Sequence, residues 1–231
     1  MALRAIAVGA GGVEGLTILP IPGSTISGRV HIEGDAAAAN LAAVTAQFFS
    51  VDPGPGFIVS TSMNSDGTFR VEDVPPARYK VIYPLPGYYL KAVRSESREL
   101  PDRVVDLDAS PPVKLDLILS PKPGSVTGSV VSSGSDQPCP EVNVVLIPQE
   151  ADRKTDPHAY LQASTDSCGR FTIHDIPPGD YRAFAWERNG FDNFFMDPAF
   201  LGPLESRGVA VSLAESDHPE IKLTLIPTDL R

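Results

Sequence analysis

Between Gly23 and Arg231 the apolar residues come in short runs of period two, cut by proline and glycine, and one such run occurs twice. Residues 65–81 read SDGTFRVEDVPPARYKV and residues 167–183 read SCGRFTIHDIPPGDYRA, in a single register from end to end. Phe69 and Val71 share one strand face against Thr68 and Arg70, as Phe171 and Ile173 do against Arg170 and Thr172. That alternation is the pattern of a half-buried β-strand. Asp66-Gly67 ahead of it is a hairpin-type turn, because glycine reaches positive φ freely and aspartate tolerates it. The second copy keeps Gly169 but has Cys168 in place of the aspartate. Pro75-Pro76 and Pro177-Pro178 lack the N–H that a ladder needs and stop the strand. The next strand opens on Tyr79 or Tyr181, a position from which a tyrosine buries its ring and hydrogen-bonds backbone at a sheet corner.

The two turn glycines, Gly67 and Gly169, lie 102 positions apart, the size of one independently folding sandwich. The pattern therefore predicts two modules, residues 23–121 and 122–231. In the first, strands are expected at Ile26–Val30, 41–49, 57–62, after the 66–67 turn, and at 79–83, 88–93, 104–107 and 113–119. Ala36–Ala39 is an alternative short helix. The second repeats the order: Val126, Gly128 and Val130, then Val142, Val144 and Leu146 alternating with Asn143 and Val145, then 160–165, the 168–169 turn, 181–186, 209–213 and 220–225. Its departure is the longer stretch ERNGFDNFFMDPAFLGPLESRG. There Asp197 reads as an N-cap, Pro198 as a first helical residue and Gly208 as a stop, which predicts a short helix at 198–206 with Phe200 and Leu204 inward. LTILPIPGS (16–24), LILSPKPGS (117–125) and LTLIP (223–227) are three copies of one strand-plus-proline element for two modules. Residues 1–22 are accordingly expected to hold the last strand of a preceding module, and Pro121–Pro123 to form a stiff linker.

Composition narrows the function classes. A 42% hydrophobic content lets each module bury a core, and the 23 prolines and 19 glycines sit as punctuation rather than in tracts. A net charge of −10 disfavours nucleic acid and anionic membrane surfaces as partners. No apolar run approaches the roughly 18–20 residues that span a bilayer, and the N-terminal MALRAIAVGAGGVEG is a weak match to a signal peptide.

Little in the chain points to a reaction. His31, His158, His174 and His218 show no metal-ligand spacing, and neither HExxH nor GxSxG occurs. Gly9-Ala10-Gly11-Gly12-Val13-Glu14 falls short of a dinucleotide fingerprint because its sixth position is Glu14 and a strand-like stretch follows. Asp192 and Asp197 lack the DxDxDG spacing of a calcium loop. No catalytic, cofactor or metal residue is assigned. Two handles remain. Trp186, Phe191, Phe194, Phe195 and Phe200, with Tyr88 and Tyr89 in the first module, are candidate stacking aromatics for a sugar or peptide; the alternative is that they roof the ends of the sandwiches. In the expected topology the turns carrying Cys139 and Cys168 lie at one end of the second sandwich, within reach of a disulfide; the alternative is two unpaired thiols.

The G-x-V opening strand, the DGxF hairpin, the IPPGDY junction and the apolar closing strand resemble carboxypeptidase regulatory-like domains. These are transthyretin-like sandwiches related to collagen-adhesin B-type repeats and grouped with carbohydrate-binding-like folds. GDYRAFAWE, followed by DPAFL and RG, is similar to a version common in large exported bacterial proteins. The resemblance runs from Gly23 onward and implies an all-β chain of two tandem Greek-key sandwiches, prealbumin- or Ig-like, of about seven strands each, with one short helix in the second. Some adhesin repeats carry a Lys–Asn isopeptide bond, but 24–32 has no lysine and neither 115–119 nor 221–226 has asparagine, so none is expected. A fold of this kind hosts many unrelated jobs. The expected function is a non-catalytic structural or interaction module of an exported or cell-envelope protein, partnered by neighbouring domains of its own polypeptide and by glycan or protein at the cell surface. The alternatives are a carbohydrate-binding module and an accessory domain that positions an attached peptidase or outer-membrane receptor.

Overall fold

The computed structural model describes residues 22–34, 41, 45–52, 56–107, 112–154, 156, 159–187 and 201–227. The chain divides into two compact units, one from residues 1–85 and 90–119, the other from 86–89 and 120–231.

The first sandwich has nine strands among the described residues: β1 (Ser24–Ile32), β2 (Thr45–Ser50), β3 (Ile58–Ser62), β4 (Thr68–Val74), β5 (Arg78–Ile82), β6 (Tyr89–Ser95), β7 (Arg98–Glu99), β8 (Val104–Asp106) and β9 (Val113–Ser120). They form sheets ordered β4-β1-β9-β6-β7 and β3-β2-β5-β8. The residues expected on the inner face of β1, Ile26 and Val30, are buried, and the Phe48 ring from one sheet meets the Phe69 ring from the other at 6.3 Å. The last strand, β9, runs parallel to the first, with Gly28 opposite Leu115.

The second sandwich repeats this plan with β10 (Gly124–Val131), β11 (Val142–Pro148), β12 (Leu161–Ser164), β13 (Arg170–Ile176), β14 (Gly179–Glu187), β15 (Val209–Leu213) and β16 (Glu220–Thr224). Its sheets are ordered β13-β10-β16 and β12-β11-β14-β15. One core joins them: Val126, Val130, Phe171, Ile173 and Leu223 face Val144, Leu146, Tyr181, Ala183 and Val211. Again the closing strand lies parallel to the opening one, Gly128 opposite Ile221. The all-β, two-sandwich architecture expected from the sequence is therefore present.

Both copies of the repeated run fold alike. The carbonyls of Asn64 and Asp166 each accept the N–H of the glycine three residues on, Gly67 at 2.9 Å and Gly169 at 3.0 Å. Both glycines sit at positive φ, +79° and +71°, so each turn is a tight one closed by a left-handed glycine. Near its end each hairpin strand carries a residue that alternation does not foresee: Asp73 and Asp175 have φ of 56° and 58°. There the pairing register with β1 or β10 shifts by one, a β-bulge that bends the strand toward its Pro-Pro stop.

Three expectations need correction. Val145, placed on a polar face by alternation, is fully buried. With Ile147, Phe184 and Trp186 it packs under Leu201, Leu204 and Ile226, so β11 and β14 are covered on both faces. The helix expected at 198–206 is a 3-10 stretch at Gly202–Arg207; Leu204 is its inward residue, as expected, while 198–200 lie outside the described residues. Pro203 lies in its first turn, where the missing N–H has no helical partner to lose. Gly208 ends the stretch in extended conformation rather than at positive φ. An α-helical turn, α1 (Ala151–Lys154), follows β11, where no helix was expected. The proposed strand in residues 1–22 and the alternative helix at 36–39 fall outside the described residues, apart from Pro22.

Candidate functional site

The polar groups that converge in each sandwich do so where the Pro-Pro stop, the following tyrosine and a carboxylate meet. Tyr79 is fully buried, and its hydroxyl donates to the carbonyl of Pro75 at 2.9 Å; Tyr181 does the same to Pro177 at 2.7 Å. Each tyrosine thereby satisfies a carbonyl orphaned where the prolines interrupt the ladder. Beside it lies a carboxylate that sequence reading missed. Asp52, two residues past β2, accepts the N–H of Arg78 at 2.7 Å and its Nε at 2.8 Å. Glu150, two residues past β11, accepts the N–H of Asp180 at 3.3 Å. The backbone hydrogen bond from Arg78, with help from its side chain, holds the Asp52 carboxyl below the usual carboxylate range. The two acids lie 26 and 30 residues from their partners, so no local spacing announces them.

In the second sandwich the cation beside the carboxylate comes from α1 instead of the tyrosine strand. Arg153 of α1 reaches Glu150 Oε1 at 3.3 Å and donates through Nη2 to the Tyr181 hydroxyl at 2.6 Å, with its guanidinium 5.2 Å from the Tyr181 ring centre. The hydroxyl donates to one group and accepts from another, which leaves its proton committed to Pro177. Arg182 bonds the carbonyls of Glu205 and Gly208, while Lys154 pairs with the Glu205 carboxylate. Glu150 Oε2 and Arg182 Nε are buried without a hydrogen-bond partner among the described residues. The arrangement ties α1, β14 and the 3-10 stretch together. It holds no nucleophile next to a base.

The hairpin turns show how the second copy dispenses with the turn aspartate. In the first, Asp66 accepts from the N–H and hydroxyl of Thr68 at 3.0 and 2.6 Å, which lowers its pKa. In the second, Asp166 takes over, accepting the N–H of Cys168 and of Arg170 at 2.8 Å each. Cys168 is left exposed and free of any capping duty, and Cys139 is a buried member of the core; both thiols are unbridged in this structure.

Of the candidate stacking aromatics, Trp186 is 1% exposed and stacks on Phe184 at 5.8 Å, so it is part of the layer under the 3-10 stretch and offers no face to solvent. Tyr89 is buried at the start of β6, and Tyr88 is half-buried. Phe191, Phe194, Phe195 and Phe200 lie outside the described residues, as do Asp192, Asp197 and His158. His31 lies 3.2 Å from Asp116, His218 bonds Ser125 at 2.9 Å, and His174 is exposed on β13. Among the described residues no three His, Cys, Asp or Glu side chains gather closely enough to hold a metal ion.

Fold and site together define a tandem β-sandwich protein whose converging polar residues satisfy its own backbone. A family model described as polysaccharide lyase family 4, domain II matches residues 122–212, most of the second sandwich and less than half of the chain. No curated protein matches. Among solved structures, the chain is similar to the Bacillus anthracis TIE protein (13% identity, TM-score 0.31, covering 88% of this chain and 33% of that one). It is also similar to a streptococcal ancillary pilin (13%, 0.34, 87% and 62%) and to GBS52, the minor pilin of Streptococcus agalactiae (15%, 0.30, 89% and 97%). The chain thus spans a third of the first and less than two thirds of the second.

Proposed function

We propose that this chain is a pair of non-catalytic structural and interaction modules, of carboxypeptidase regulatory-like type, within a larger exported or cell-envelope protein. The observation that carries the reading is the duplication of duties: tyrosine to proline carbonyl and carboxylate to strand N–H recur in both sandwiches, and each hairpin turn has an acid on its N–H groups, Asp66 in one and, two positions earlier in the register, Asp166 in the other. Residues kept for the same backbone task in both copies serve the fold, and a reaction would need at least one copy to diverge toward a nucleophile, base or oxyanion donor. The partners in this reading are neighbouring domains of the same polypeptide. The test is a panel of glycosidase, polysaccharide lyase, peptidase and esterase substrates, with turnover at the level of the blank expected; turnover abolished by one substitution would overturn the proposal.

A second reading is favoured by the match of residues 122–212 to the model described as polysaccharide lyase family 4, domain II. In it, the second sandwich is an accessory module that holds a carbohydrate for a neighbouring catalytic domain. A glycan array probed at high protein concentration separates the two: selective retention of a polysaccharide class supports the accessory role, and a blank array removes it.

A further inference from the structure

The two cysteines occupy turns that the fold presses together. On one edge of β10, the N–H of Val130 donates to the carbonyl of Gly169 at 2.8 Å, while its carbonyl accepts the N–H of Cys139 at 2.9 Å. A Cβ built on Gly169 would stand 2.9 Å from the Cys139 nitrogen. The hydroxyl of Thr165, at the base of the same hairpin, donates to the Cys139 carbonyl at 2.7 Å, and the N–H of Glu141 reaches the Thr165 carbonyl at 3.2 Å. Cys168 is the chain neighbour of Gly169, one peptide unit of about 3.8 Å away, and a disulfide spans about 4.4–6.8 Å between Cα atoms. The two thiols differ in access: Cys139 is 9% exposed and Cys168 is open to solvent. Cys168 also has freedom to move its side chain, since Asp166 does the capping in this turn.

We propose that Cys139 and Cys168 are a redox-responsive pair, in which exposed Cys168 takes up a low-molecular-weight disulfide and buried Cys139 resolves it into an intramolecular bridge. With oxidised glutathione as oxidant, the Cys168 thiolate attacks one glutathione sulfur. The glutathione S–S bond breaks, one glutathione leaves as a thiolate and Cys168 becomes a mixed disulfide. Cys139, its proton released to solvent, then attacks the Cys168 sulfur and expels the second glutathione. Two protein thiols are oxidised to one disulfide, and one glutathione disulfide is reduced to two thiols. Burial raises the Cys139 thiol pKa, which makes the second step the slower one.

The test uses the full chain, incubated with oxidised glutathione, digested without reduction and mapped by mass spectrometry. The expected product is a linked pair of peptides containing Cys139 and Cys168, lighter by two hydrogens and separated again by dithiothreitol. Cys139→Ser should stop at a glutathione adduct on Cys168, and Cys168→Ser should stay unmodified. Wild-type protein that remains fully reduced, that ends as the Cys168 adduct, or that forms a covalent dimer instead of the internal link overturns the proposal. Should Cys139→Ser fail to fold, wild-type mapping and the surface variant Cys168→Ser decide the matter between them.

Discussion

The ring of Phe69 occupies the space over Gly28: a Cβ on that glycine would stand 2.6 Å from the ring's Cζ and 2.1 Å from the carbonyl oxygen of Leu115. Phe171 sits over Gly128 in the same way, at 2.8 Å, with the Ile221 carbonyl at 2.2 Å. The opening strand therefore needs glycine at its centre to admit both the hairpin ring and the parallel closing strand. Gly28→Ala and Gly128→Ala should each destabilise by about 1–3 kcal/mol or more, because one obstacle is backbone that cannot swing aside. Denaturant unfolding should show a lower midpoint at unchanged slope. Gly202→Ala, which meets open space, should stay within about 0.5 kcal/mol of the parent.

Removing a corner hydroxyl separates the two sandwiches energetically. Tyr79→Phe loses the bond to the Pro75 carbonyl and should cost about 1 kcal/mol. Tyr181→Phe loses the bond to Pro177 and also the acceptor for Arg153 Nη2, and should cost more, about 1–3 kcal/mol. Parallel unfolding curves for the two variants test the ranking.

Acid should weaken the first unit in part through Asp52. Its folded pKa lies below the unfolded one, so its contribution is complete above the unfolded carboxyl value of about 4 and is lost as pH falls through the folded value. Asp52→Asn should therefore be less stable at neutral pH and show a shallower loss of urea midpoint on acidification. Asp66, in the same unit, is shifted in the same direction, so the acid limb is reduced rather than abolished.

Trp186 is the single tryptophan of the chain and a direct reporter on the layer over β11 and β14. Its emission should be blue-shifted and poorly quenched by acrylamide in the native state, and unchanged by added saccharides. Trp186→Ala should cost about 3–5 kcal/mol as a buried aromatic truncation.

The hairpin strands, their Pro-Pro stops and the tyrosine corners were legible because each is written within a few residues: period two, a missing N–H, a ring with a hydroxyl. What escaped reading was long-range. Val145 looked like a polar-face position because its cover, Leu201, Leu204 and Ile226, comes from 56 or more residues further along the chain. Asp52 and Glu150 act on backbone that arrives from another strand. The placement of β6 beside β9 is likewise a choice of sheet that alternation does not encode. Asp73 and Asp175 could have been found: an aspartate at the same place in VEDVPP and IHDIPP, just before a strand stop, is among the few side chains that accept left-handed backbone. For Trp186 the sequence left ligand stacking and a roofing role both open, and burial in the layer under Leu201, Leu204 and Ile226 decides for the second.

In each sandwich the first and last strands lie side by side and point the same way, β1 with β9 and β10 with β16. A chain entering at the start of one and leaving at the end of the other departs from opposite ends of that seam. Tension between the entry and exit points is then directed along the strands, so the row of inter-strand bonds is loaded together in shear instead of being unzipped one at a time. The strand order of each sandwich thus turns a pull along its length into shear across that seam.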